Sequence, residues 1–114
     1  MRYAAVILMV GLAVWLLWQR RGTLTEADIP PGTVMVQLGA YDSAADAQAH
    51  LAAVQAQAGA LVADKPALVI EAKSDGRRFY RLRLTGFDAP EAARRLCGEL
   101  MAGFDLPCIP VVKR

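Results

Sequence analysis

At 114 residues with a formal net charge of +2, the chain has room for one compact domain plus an accessory segment, and it lacks the basic excess of a dedicated polyanion binder. The 55% apolar content exceeds the globular norm, but much of the excess sits in the uninterrupted run Tyr3 to Trp18. A single histidine, two serines (Ser43 and Ser74), no glycine-rich phosphate loop and no metal-spaced ligand cluster exclude the usual enzyme and metalloprotein classes.

In a helix, the run from Tyr3 to Trp18 spans about 24 Å, slightly short of a hydrocarbon core of about 30 Å. Trp15 and Trp18 suit the interface, and Arg2 together with Gln19 to Arg21 can snorkel to close the gap. A cleaved signal peptide would want small residues after the apolar run, whereas Trp-Leu-Leu-Trp-Gln-Arg-Arg follows. Residues 1–21 therefore read as an uncleaved transmembrane anchor that meets the bilayer through residues 3–18. Basic residues flank it almost equally, so charge alone does not orient it. Residues 22–32 read as a short linker, stiffened by Pro30-Pro31-Gly32, and residues 33–114 as the domain.

Within that domain, Thr33 to Leu38 alternates as a strand and Gly39 ends it. Ser43-Ala-Ala-Asp46 is a capping box opening a helix, along which Ala47, Leu51, Val54 and Ala58 recur at helical spacing up to Gly59. His50 lies beside this stripe and carries no functional expectation. After Lys65-Pro66 a second strand alternates, with Leu68, Ile70 and Ala72 expected on the core side and Val69, Glu71 and Lys73 outside. Ser74-Asp75-Gly76 is turn chemistry, so a hairpin leads into a third strand from Arg78 to Leu84. There Tyr80, Leu82 and Leu84 share one face, and Phe79, Arg81 and Arg83 the other. Asp88-Ala-Pro90-Glu91 starts a second helix, whose apolar stripe is Ala93, Leu96, Cys97, Leu100 and Phe104. Cys108 to Val112 forms a last strand, which Pro110 confines to a sheet edge.

The resulting order, β-α-β-β-α-β, predicts an α+β fold of the RNP-like split-βαβ plan: a four-stranded antiparallel sheet with two helices on one face, preceded by one transmembrane helix. The two halves echo each other, since Leu38-Gly-Ala-Tyr-Asp-Ser and Leu84-Thr-Gly-Phe-Asp-Ala each join a strand, an aromatic and a helix start. The uncovered sheet face is expected to carry Gln37, Glu71, Lys73, Phe79, Arg81 and Arg83. A ring amid long polar chains suits a carbohydrate, and a guanidinium fork suits a carboxylate.

Val36-Gln-Leu-Gly-Ala-Tyr41, an Ala-rich helix, Tyr80-Arg-Leu-Arg-Leu84 and a second helix ending before Cys108-Ile109 together resemble the SPOR (sporulation-related) family, over about Thr33 to Lys113. Thr85-Gly86 departs from the Gly-Pro often found there, and the tether is short. The resemblance implies non-catalytic binding of peptidoglycan glycan strands denuded of stem peptides, such as accumulate at division septa. It places the glycan-binding residues at Gln37, Phe79, Arg81 and Ile109, and Arg83 extends the same row. It implies no cofactor, no metal and no nucleic acid. It also favours a single-pass protein of the bacterial inner membrane with its domain in the periplasm. In that oxidising compartment, Cys97 and Cys108 are expected to form a disulfide. Two alternatives are a division-complex scaffold acting on division proteins and, with less support, an RNA-recognition module of the same topology.

Overall fold

The computed structural model describes residues 24–114; the anchor expected at residues 1–21 lies outside the described residues. Leu24–Thr25 forms a two-residue strand, β1, followed by a 3-10 turn over Glu26–Asp28. Then come β2 (Val34–Tyr41), α1 (Ala44–Val62), β3 (Ala67–Ser74), β4 (Arg77–Leu84), α2 (Pro90–Phe104) and β5 (Ile109–Val112). Among the described residues no helix is long and apolar enough to cross a membrane.

The expected β-α-β-β-α-β order is present, with β5 at a sheet edge where Pro110 is tolerated. The sheet, however, has five strands in the order β1-β3-β4-β2-β5, and it is mixed, because β1 runs parallel to β3 with Leu24 opposite Ile70. Residues 24–29, read from sequence as part of a linker, thus belong to the folded unit, and Ile29 is buried. Polar spacing hid this, because one buried side chain and two paired residues leave no periodicity to read.

Local chemistry explains most boundaries. Asp75 and Gly76 both adopt positive φ, at 53° and 77°, which matches the β3–β4 hairpin turn to the twist of its strands. Ser43 Oγ accepts a hydrogen bond from the Asp46 amide at 3.1 Å and opens α1. The second helix starts differently from expectation: Ala89 is its N-cap without a side-chain bond, and Pro90 and Glu91 mark the first turn. Helix α1 continues past Gly59 to Val62 across a non-helical Ala58. Strand β2 likewise continues past Gly39, because a bulge at Leu38 shifts the register against β4. A Cβ at Gly39 would meet the side chain of Tyr41, which would have to shift to admit it.

Both helices pack on one face. Val36, Leu38, Val69, Leu82 and Leu84 meet Ala47, Val54, Ala58, Ala93, Leu96 and Leu100 in the main core. Cys97 and Cys108 form the expected disulfide, joining α2 to the residue before β5. A second, smaller cluster on the opposite face unites Ile29, Met35 and Ile70, with Leu24, Leu68 and Val111 against it.

That second cluster inverts one expectation. Val69 lies opposite Leu82 and belongs to the main core, whereas Ile70 lies opposite Arg81 on the other face. Glu71 pairs with Tyr80 and Lys73 with Arg78, so both leave the predicted site face. Apolar residues on both sides of β3 made its phase ambiguous by alternation alone.

Candidate functional site

The face opposite the helices divides into a covered part and an open strip. Residues 24–29 lie over the β3 side through the small cluster. Across β4, β2 and β5 the face carries Phe79, Arg81 and Arg83, then Ala40 and Gln37, then Ile109. The register fixes this, with Ala40 opposite Arg81, and Gln37 opposite both Arg83 and Ile109. All five residues expected at the site from sequence are therefore brought onto one face. Three of them, Phe79, Arg81 and Arg83, lie on β4, the central strand of the sheet, flanked on both sides by paired strands.

The environments of the five differ. Ile109 is 60% exposed, Phe79 and Arg81 are half-buried, and Arg83 is only 5% exposed. The Arg81 guanidinium lies 5.1 Å from the centroid of the Phe79 ring, a cation–π arrangement that fixes both groups. Arg83 Nε donates to Gln37 Oε1 at 3.2 Å. Gln37 thus positions a neighbouring arginine, a role alternation could not foretell.

The counter-charge of the buried Arg83 is Glu26. Its carboxylate accepts from Arg81 Nη1 at 2.8 Å and from Arg83 Nη1 at 3.3 Å, and it lies 3.0 Å from Arg83 Nη2. Lys113 Nζ completes the surround at 3.6 Å. Three cations therefore converge on one carboxylate, and Arg83 grips it with both arms of its fork. Burial is the largest single influence on Glu26 and works to raise its pKa. The hydrogen bonds and charges of Arg83 and Arg81 together outweigh it, holding the carboxyl below its ordinary value. Glu26 and Lys113 were missed in the sequence; one sits in an apparent linker, the other is the penultimate residue.

At the hairpin end of the same face, Ser74, Asp75, Arg77 and Phe79 line an open depression of about 320 Å³. His50 stays apart from it all, its ring 5.4 Å from that of Tyr41 beside the main core. Among the described residues no cluster of His, Cys, Asp or Glu has metal-binding proximity.

The family model for the SPOR domain matches residues 30–110. The chain belongs to the SPOR family. SPOR domains bind peptidoglycan and are binding modules rather than catalysts. The crystal structure of the RlpA SPOR domain from Pseudomonas aeruginosa aligns with this SPOR domain at a TM-score of 0.54 and 14% identity. The alignment covers 68% of this chain and 96% of that one, which establishes the shared fold. No curated protein matches the chain. The family match begins at residue 30, so β1 and Glu26 lie ahead of the segment it covers.

Proposed function

We propose that this SPOR domain binds peptidoglycan glycan strands stripped of stem peptides, through the open strip that carries Phe79 and Arg81. The observation that supports this most is the stacked pair itself: an aromatic face for sugar C–H groups beside a guanidinium held for a carboxylate. Stripping the peptide leaves a lactyl carboxylate on each muramic acid, so a fixed guanidinium gives a physical reason for preferring denuded strands. Ile109 adds an apolar border on β5, and Gln37 acts by aligning Arg83. In this reading residues 3–18 hold the protein in the bacterial inner membrane, and the domain works in the periplasm in cell division or wall remodelling. The disulfide supports the oxidising side of the membrane. A reporter active only in the periplasm, fused after Arg114, should be active; activity of a cytoplasm-only reporter would reverse the orientation.

The binding test uses the full chain, detergent-solubilised, and amidase-treated sacculi. Arg81→Ala and Phe79→Ala should each weaken co-sedimentation about tenfold, the ~1.4 kcal/mol of one good contact. Circular dichroism should stay unchanged. Arg94→Ala, whose exposed side chain pairs with Glu91 on the outer side of α2, is the control. Equal recovery of all three variants would move the site elsewhere and favour a division-complex scaffold acting through protein contacts.

A further inference from the structure

Glu26 holds the position that a ligand carboxylate would take. We infer that it is an internal competitor: the segment Leu24 to Asp28 is an arm that keeps the cationic cradle of Arg81, Arg83 and Lys113 filled until an incoming carboxylate replaces its own. The inference rests on the reading of this face as the glycan site, and it adds a condition to it.

Three observations carry it. The cradle is largely built without Glu26, because both arginines have other partners and the backbone that carries Lys113 is fixed. Gln37 fixes Arg83 through Nε, the Phe79 ring fixes Arg81, and backbone bonds to Gly32 and Thr33 pin Lys113. The arm, by contrast, is weakly held. Only two of its residues pair with β3, and Thr25, Ala27 and Asp28 are exposed. Ile29, buried in the small cluster, is where a swinging arm would pivot. Finally, the fork-to-carboxylate geometry at Arg83 is the one an external carboxylate would adopt.

An arginine as buried as Arg83 is costly to leave without an anion. Release of Glu26 is therefore favourable only when another carboxylate enters, so the exchange is carboxylate for carboxylate. A neutral sugar would leave the arm in place. The ligand class that opens it is an acidic sugar with a free carboxylate, and its apparent affinity is lowered by the fraction of chains whose arm is closed.

The test uses two monosaccharides, N-acetylmuramic acid and N-acetylglucosamine, which differ by the lactyl group. They are titrated into the full chain in detergent and followed by NMR, for the parent, Glu26→Gln and Glu26→Asp. Glu26→Gln should bind the muramic sugar about fivefold or more tightly than the parent. Affinity for the glucosamine sugar should not move, and Glu26→Asp, which keeps the charge, should stay near the parent. In the parent, hydrogen exchange of amides 24–28 should quicken when the muramic sugar binds. Unchanged or weaker binding by Glu26→Gln, or slower exchange in the arm, would overturn the inference. Sacculus binding separates the two readings. If parent and Glu26→Gln sediment alike and neither sugar distinguishes them, the glycan function stands and the competitor fails. If Glu26→Gln gains the muramic sugar while no form sediments, the competitor stands and the glycan function fails.

Discussion

The two faces of the sheet solve opposite problems. Under the helices, fifteen buried residues among those described form one continuous core, closed at one side by a covalent link between α2 and the approach to β5. On the other face, among the described residues, Ile29, Met35 and Ile70 form a small buried cluster with Leu24, Leu68 and Val111 against it, and beside it the contact is ionic. Apolar burial is non-directional and has no partner in solution to exchange with, so the first face holds the fold. Ion pairs can trade one carboxylate for another at little net cost, so the second face can hold a fold and still yield to a ligand.

Substitutions should rank the faces. The largest loss is expected in the main core: Leu82→Ala, at a side chain wholly out of solvent, should cost about 2–5 kcal/mol in denaturant unfolding. A cost under 1 kcal/mol would mean the core is looser than its burial implies. Next comes the covalent link. Cys97→Ser, or reduction of the parent, should cost about 2–4 kcal/mol, checked by melts with and without reductant.

The smallest effect belongs to the ionic face. Glu26→Gln should cost about 1–2 kcal/mol at pH 7, because Arg83 loses its counter-charge but keeps Gln37. The sign of its pH dependence follows from the lowered pKa of Glu26. A carboxyl depressed on folding contributes stability above its unfolded value of 4.5, and that contribution disappears as pH falls through the lower folded value. Parent and variant stabilities should therefore converge in acid, separate as pH rises through the lowered folded value, and keep their full gap above 4.5. A gap that persists unchanged in acid would show that Glu26 acts through packing rather than charge.

How much of this was legible in the sequence depended on contrast between faces. Strand β4 alternates arginine and phenylalanine with leucine and tyrosine, so its phase could be read without ambiguity, and with it Phe79, Arg81 and Arg83. Pro110 and the two cysteines placed β5 because each has few permitted environments. Strand β3 was misread because Leu68 and Ile70 are as apolar as Ala67 and Val69, and both faces are in fact covered. Glu26 was invisible for another reason. Its partners lie more than fifty residues away, and a lone acid in a polar stretch has no local signature.

The β1 arm also changes how far the domain can travel from whatever its N-terminal end is fixed to. While Leu24 and Thr25 stay paired with β3, the chain between the proposed anchor and the folded unit is only a few residues long. A pull on Leu24 acts on a two-residue pairing at a sheet edge and would part it before it disturbed β2 or β4. Freeing residues 24–28 lengthens the tether by up to about 17 Å of extended chain. The same event uncovers the cradle, so under the proposed anchoring, mechanical load on the tether and exposure of the cradle would rise together.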